Sequence, residues 1–550
     1  MTVMSGAEAF AAGLVKMGTR YVYGEIGTSV LGFFDGLYGA KETIHYISCR
    51  HEQVAASMAD VEGRLTGRPG VAIVHSGPGA LNALISVGNA MKDASPLFLV
   101  TGAVKSRLAG TDGMLEASHL EIFKSLTKGA FRISSVSDVP GILARAFSIA
   151  VSGAPGPILI EVPEDVWKER GEVDEASFVF AAEPQTPPAD VDIQEIIEGL
   201  VKAKRPLILA GAGAQGCAPV LVSFAERLGI PVATTGNGRG VIPEDHELAL
   251  GRVGFGGGSL VADKAFLTAD VILCLGCGIS DMVTYEYTQI PEADVYMINQ
   301  DPAAGGKPVF VTKHILADVG LSLTVLEKSS ASLAKKIDWL PALGEIRSLW
   351  SAALTHATSH FGPSVIFAKL DALLPPGAIV SGGAGLHVVY ANDYLKARSP
   401  HSFLAAVNFG AMGFGLPAAM AAAIHKPDVP IIAVLGDGET MTTIQDLETL
   451  VREKLPVKIY IVNDNAYRVL EIKQRMNYQG RVIGTKHNNP DFLKLAEAFG
   501  MKGWRLSAAN WEKELMAAVE YQGPCLIEIP CDQDDLPPTN VEAALAMGQA

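Results

Sequence analysis

The sequence predicts an α/β protein of three domains, each a mainly parallel sheet flanked by helices. Three observations carry that expectation. Short β-branched runs that end in glycine-rich turns alternate with segments of helical periodicity along the chain, the pattern of repeated strand–helix–strand units. The 550 residues exceed what one core organises and suit about three domains of roughly 100–200 residues each. Two segments break the pattern, "AAEPQTPPAD" (181–190) and "EKSSASLAKKIDWLPAL" (327–343). They mark boundaries, leaving blocks 1–180, 190–330 and 345–550.

In block one the strand runs are "YVYGEIG", "GVAIVHSGPG", "LFLVTG" and "PILIEVP". In block two they are "PLILAGAG", "DVILCLGCG" and "DVYMINQD", and in block three "AIVSGGAG", "IIAVLGDG", "KIYIVNDN" and "CLIEIP". Blocks one and three are similar in size and pattern. Block three holds the most informative unit. Ile431–Leu435 ends at Gly436-Asp437-Gly438, and Val457–Val462 ends at Asn463-Asp464-Asn465. Both runs read as buried parallel strands. Ile444, Leu447, Leu450 and Val451 recur between them at helical spacing. An acid therefore stands at the carboxyl end of each strand, where open α/β sheets bind ligands.

Composition excludes several classes. A net charge of −15 without a basic stripe argues against nucleic-acid binding. The chain start lacks a basic segment followed by an apolar one, so no secretory signal is expected. Six scattered cysteines form no metal framework; Cys274-x-x-Cys277 has no second pair and reads as ordinary buried thiols. Their reduced state suits the cytoplasm. Phe403–Ile424 carries no charge over 22 residues, long enough to span a bilayer. Asn408, its glycines and Pro417 break it, so it reads as a strand end, a turn and a buried Ala-rich helix. No membrane association is expected.

Four features carry chemistry. Asp437, between glycines that permit close approach, and Asp464 on the next strand end suit Mg²⁺ shared with phosphate oxygens; they also suit two solvated turn acids. Glu52 opens a helix over 51–65 with Val54, Met58, Val61 and Leu65 on its apolar face, where an acid equally serves the helix dipole. "HSGPGALN" (75–82) and "NFGAMGFGLP" (408–417) are turns that either bind or merely connect.

In this order and spacing the four features resemble the thiamine-diphosphate-dependent enzymes of the acetolactate synthase and benzoylformate decarboxylase group. The resemblance runs from about residue 5 to about residue 535. It is densest in "RHEQVAASMADVEGRLTG", "SGPGALNALISVGNAMKDASPLFLVTG", "GAMGFGLPAA" and the Gly-Asp-Gly…Asn-Asp-Asn pair. It implies a pyrimidine-binding first domain, a central domain and a diphosphate-binding third domain. It implies Mg²⁺ held by Asp437, Asp464 and the Ala466 carbonyl, with Asp464 standing where many members have Asn. Gly385, His387, Gly438 and Glu439 fall on diphosphate-contacting positions. Glu439 usually corresponds to Ser, so its side chain must turn away from the phosphates or toward the metal's surroundings. Met412 matches the apolar shelf under the bent cofactor, the Gly410 carbonyl the acceptor from its aminopyrimidine, and Asn82 joins the cofactor-binding set. Glu52 matches the glutamate that hydrogen-bonds the pyrimidine and promotes its amino–imino exchange. The group pairs these domains across a subunit interface, which implies a homodimer or homotetramer.

The resemblance implies a small 2-oxoacid or related carbonyl substrate and a C–C bond made or broken beside the carbonyl. The expected reaction is an acetolactate-synthase-like carboligation after loss of CO₂. The alternatives are a simple decarboxylase of the benzoylformate type and an acyloin or 2-hydroxyacyl lyase. Met114 and Leu115 replace the Phe-Gln pair usual in the synthases, whereas Lys128 matches a Lys they keep. His75 matches a histidine that the decarboxylases use for proton transfer; it equally reads as a hydrogen-bonded core histidine. Thr28 and Ser29 are expected to line the pocket, with Tyr467 beside it. Glu25 and Arg468 depart from the usual apolar and Gly residues, and an Arg at the cofactor mouth suits an acidic substrate. Relatives place FAD or ADP in the central domain, and "GRVGFGGGS" (251–259) suits either or is a plain turn.

Overall fold

The computed structural model describes residues 1–306, 308–331, 333 and 338–538. Positions 332 and 334–337 of the second predicted linker, and the end of the third block, lie outside them. The chain divides into two compact units. The first comprises Met1–Pro184, Asn408–Pro427 and Met441–Val457; the second comprises Gln185–Val407, Asp428–Thr440 and the chain from Lys458 onward.

Three six-stranded sheets, parallel throughout, carry the units. The sheet of the first unit runs His45–Ser48, Tyr21–Gly24, Gly70–Val74, Leu97–Ala103, Pro157–Pro163, Gly129–Arg132. The second unit holds two. One runs Phe403–Ala405, Ile379–Gly382, Ile431–Gly436, Lys458–Asn463, Cys525–Pro530, Lys502–Arg505. Numbered within its own sheet, each of these two has the strand order 2-1-3-4-6-5, so the predicted likeness of blocks one and three is a shared topology. The central sheet has the order 3-2-1-4-5-6. Crossover connections of one hand put helices on both faces of such sheets and all loops of interest at the carboxyl ends of the strands.

The central strands are buried along almost their whole length, which is why their sequences are continuous apolar runs. The helix predicted over 51–65 spans Glu52–Thr66; His51 caps it by accepting from the Gln53 N–H at 3.1 Å, and Gly67 closes it in the left-handed region. The uncharged stretch 403–424 resolves as expected into the strand Phe403–Ala405, a turn with positive φ at Gly410 and Gly413, and the helix Gly415–His425, buried from Gly415 to Ala423. Among the described residues no helix is long and apolar enough to cross a membrane.

The Glu52 helix and the Ala-rich helix pack together within the first unit. Gln53 donates to the Met412 carbonyl at 2.8 Å, and His425 lies 3.3 Å from Glu62. Small residues let backbones approach. A Cβ on Gly63 would sit 2.1 Å from the Pro96 carbonyl oxygen, an approach that backbone alone must relieve. Gly63→Ala is expected to cost about 1–3 kcal/mol and to lower the thermal unfolding midpoint. An unchanged midpoint would show that the helix has room to shift.

Candidate active site

The predicted site residues fall into two clusters, one in each unit. In the first unit, two loops leave neighbouring strands at the sheet's topological switch point, Glu25–Ser29 after Tyr21–Gly24 and His75–Gly79 after Gly70–Val74. Ser29 Oγ lies 2.7 Å from His75 Nδ1, and the Ser29 N–H points at the same nitrogen from 3.4 Å. Nδ1 is therefore the acceptor, which assigns the ring proton to Nε2. Burial depresses the His75 pKa, with Glu52 pulling the other way. The Ser29 hydroxyl also accepts from the Ser76 N–H at 2.9 Å, so Ser29 is buried and spent on the loop while Thr28 is exposed.

Glu52 is buried at the first position of its helix and accepts from Asn82 Nδ2 at 2.9 Å. Gly79 approaches so closely that a Cβ there would lie 2.8 Å from Glu52 Oε1. Burial raises the Glu25 pKa, and the Glu52 charge adds to it. Leu115, at φ 70°, offers its carbonyl to Ser76 Oγ at 2.9 Å, whereas Met114 is 87% exposed. Lys128 donates to the Ser152 carbonyl at 2.6 Å.

Sequence reasoning missed two residues of this cluster. His119 is buried, accepts the Gly77 N–H at Nε2 (3.0 Å) and meets Glu161 through Nδ1 (2.7 Å); Arg132 holds the other Glu161 oxygen at 2.8 Å. Asp446 is fully buried in the segment predicted as one helix, which instead breaks into Asp437–Thr443, a 3₁₀ turn and Leu447–Arg452. It accepts from the Arg50 N–H and the Thr449 hydroxyl, anchoring the strand end that leads into Glu52.

The second cluster lies at the equivalent switch point of the second unit, between the ends of Ile379–Gly382 and Ile431–Gly436. Asp437 accepts from the Gly438 N–H at 2.7 Å and from Asn489 Nδ2 at 2.7 Å, and His487 Nε2 lies 3.2 Å away. Asn489 also donates to Asn463 and Asn465. Nothing in "KHNNP" signalled this, because its partners stand more than twenty positions away. Asp464 accepts from the Ala466 N–H at 3.1 Å and from Arg468 Nε at 2.8 Å. Burial raises the Asp464 pKa, Arg468 opposes this, and the Asp437 charge adds to it. Arg468 is buried between Asp464 and Glu471, so it does not reach out to a substrate as the sequence suggested.

Glu439 turns back over Gly383, where a Cβ would collide with its Oε1, and its Oε2 lies 2.5 Å from His387 Nε2. This close contact holds the Glu439 carboxylate against the His387 ring. Gly385, at φ 150°, and Gly436 leave the space that the His387 ring fills, and Gly438 lies under the Tyr467 ring. Tyr467 in turn packs 4.9 Å from the His487 ring.

These donors fit a metal–diphosphate unit. Among the described residues no three His, Cys, Asp or Glu side chains are placed to hold a metal. Two carboxylates and a backbone carbonyl are instead the hard-oxygen set that Mg²⁺ takes together with phosphate and water. The bridge pairing Ala466 with Lys486 is made through Asn465 and Tyr467, so the Ala466 carbonyl points away from it. His487 Nδ1 is buried without a hydrogen bond among the described residues, a polar atom suited to a polar occupant.

Three segments of the chain match models of one known family. Residues 4–122, 193–326 and 383–529 match the family models of the thiamine pyrophosphate enzyme N-terminal TPP binding, central and C-terminal TPP binding domains. The chain is 33% identical to a probable acetolactate synthase large subunit of Methanocaldococcus jannaschii, over 96% of this chain and 92% of that one. It is 30% identical to the acetolactate synthase isozyme 2 large subunit of Escherichia coli, over 96% of each chain.

Burial pushes Asp446 up to about 6, above the ordinary carboxylate range near 4. The fold therefore favours its protonated form, and that contribution, whole below about pH 4, is lost as pH rises to about 6. Asp446→Asn keeps an acceptor for Arg50 and Thr449, so the variant is expected to gain on the parent through this window, by at most about 2–3 kcal/mol. Thermal midpoints of both proteins from pH 4 to 8 test it; a gap independent of pH would remove the buried-acid account.

Proposed function

The chain belongs to the thiamine pyrophosphate enzyme family, and on that premise we propose that it is a carboligase like the acetolactate synthases, condensing 2-oxoacids with loss of CO₂. One observation carries the reading. A buried glutamate held by Asn82 opens a helix in one unit, and paired acids at adjacent strand ends line a glycine cradle in the other.

In this reading Asp437, Asp464 and the Ala466 carbonyl hold Mg²⁺. Gly385, His387 and Gly438 face the diphosphate, and the contact with His387 turns the Glu439 carboxylate away from it. Met412, its backbone fixed by Gln53, forms the apolar shelf, with the Gly410 carbonyl as acceptor. Thiamine diphosphate, when bound, supplies a nucleophilic carbon and an electron sink next to the substrate carbonyl. Glu52 holds a proton at the pyrimidine nitrogen, and Asn82 keeps that carboxyl oriented. His75 is neutral near pH 7 because its pKa is depressed, so it offers an Nε2–H hydrogen bond to a substrate oxygen. Thr28, Leu115, Met114 and Tyr467 bound the substrate, and Ser29 acts on it through His75.

Copies of the chain pair so that Glu52 of one serves the metal site of another, in a homodimer or homotetramer; the names of the large-subunit relatives support an assembly. Six free thiols suit the cytoplasm. At the switch point of the central sheet the Gly213 N–H donates to the Gly276 carbonyl at 3.0 Å. Arg252 gathers the carbonyls of Phe255, Gly256 and Gly257. In this reading thiamine diphosphate is the sole organic cofactor.

A simple decarboxylase of the benzoylformate type is the second reading, favoured by the partly exposed His75 near Glu52. Incubation with thiamine diphosphate, Mg²⁺ and pyruvate or benzoylformate separates the two. CO₂ with a coupled hydroxy-keto product supports the carboligase, CO₂ with free aldehyde the decarboxylase, and neither product sinks both. Glu52→Gln is expected to lower turnover by at least about 100-fold with cofactor binding retained; full activity in the variant would overturn the role of Glu52. Asp437→Ala is expected to abolish Mg²⁺-dependent binding of thiamine diphosphate, read by calorimetry.

A further inference from the structure

We infer that Asp464 and Arg468 act as one charge-compensated unit, in which Arg468 cancels the charge of Asp464 and leaves its Oδ1 as an oriented, nearly neutral oxygen for the cation. The inference rests on the metal site proposed above. Arg468 opens the helix Arg468–Asn477, one turn beyond Asp464. Its Nε donates to Asp464 Oδ2 at 2.8 Å and its Nη2 to the Asp464 carbonyl at 3.2 Å. The third arm, Nη1, reaches Glu471 Oε2 at 2.8 Å. Both side chains of the Arg468–Asp464 pair are nearly closed to solvent, with 5% and 9% exposure, so water screens their interaction little.

Glu471 does not need this arginine for its charge. Arg475 lies 2.6 Å from its Oε1 and Lys486 3.1 Å from its Oε2. The positive charge of Arg468 is therefore available to Asp464. Among the described residues Oδ1 of Asp464 accepts only the Ala466 N–H, and a carboxylate oxygen has a second lone pair to give. Among the described residues no arginine or lysine pairs with Asp437. Neutral Asn489 donates to it, and His487 lies near it outside hydrogen-bond geometry.

The two acids thus divide the work. Asp437 supplies charge to the site, and Asp464 supplies direction. A cation that must also bind a diphosphate gains nothing from a second uncompensated carboxylate, because that charge repels the phosphate oxygens. Arg468 also holds the Asn463–Tyr467 turn at both the side chain and the carbonyl of Asp464, which aims Oδ1 without help from the cation.

Charge compensation predicts effects of opposite sign, which a structural salt bridge does not. Mn²⁺ alone, in place of Mg²⁺ and without thiamine diphosphate, is titrated into the full chain by paramagnetic resonance. Arg468→Met should tighten Mn²⁺ binding and Asp464→Asn should weaken it, each by at least about fivefold. Asp464→Asn combined with Arg468→Met should return to within about threefold of the parent, and Arg468→Lys, which keeps the charge, should stay close to it. Weakened binding in both single variants without recovery in the double would overturn the inference and leave a merely structural pair. Asp437→Ala is the separate control. Loss of Mn²⁺ binding there upholds the metal site whatever the pair does, whereas unchanged binding removes the metal site itself.

Discussion

The parallel register between Ile431–Gly436 and Lys458–Asn463 is the constraint on which the second unit's chemistry depends. Gly436 stands opposite Val462, so both strands end at one level and the acids that follow them share one space. The Asp437 charge adds to the cost of charging Asp464, which burial already raises. Such a pair needs positive charge or hydrogen-bond donors. The surroundings supply Asn489 and the Gly438 N–H to one acid, and Arg468 and the Ala466 N–H to the other.

The first unit solves a related problem with different means. Its switch-point loops bring a histidine and a serine together, and its acid opens a helix whose N-terminus favours negative charge. The loop His75–Gly79 is fixed from below by His119, which accepts a backbone N–H because Glu161 faces its other nitrogen. Arg132 completes that chain of contacts. Backbone approach, rather than side-chain bulk, sets the remaining distances: Gly79 against Glu52, Gly383 against Glu439 and Gly438 against Tyr467 leave no room for a methyl group.

Most strands legible in the sequence are buried on both faces, although the short interior strand Val232–Thr234 is not legible there. In the sheet of the first unit the runs at 21–24, 70–74, 97–103 and 157–163 stand out, and the two edge strands, His45–Ser48 and Gly129–Arg132, do not. The same holds for Lys502–Arg505 at one edge of the third sheet and for Lys313–Ile315 at one edge of the central sheet. Edge strands are short and half exposed, so their residues alternate with polar ones or carry charge. The break at Ile444–Asp446 was hidden for the opposite reason. Its apolar spacing is helical throughout, and only the burial of Asp446 against Arg50 and Thr449 forces the turn.

The sequence by itself determined the α/β architecture, the acids at the two strand ends, the helix opened by Glu52 and the glycine-rich turns around them. Those are local properties: periodicity, turn chemistry and the position of a charge relative to a strand end or helix start. Only the tertiary structure decided the partners. Asn489 reaches Asp437 across 52 positions, His119 reaches Gly77 across 42, and Ser29 reaches His75 across 46. Even Arg468, four residues from Asp464, could be read as an open cation until its burial between two carboxylates was seen. No spacing rule encodes such contacts, because folding sets them through the sheet's register and the crossing of its loops, and hydrogen bonding then selects which polar groups survive burial.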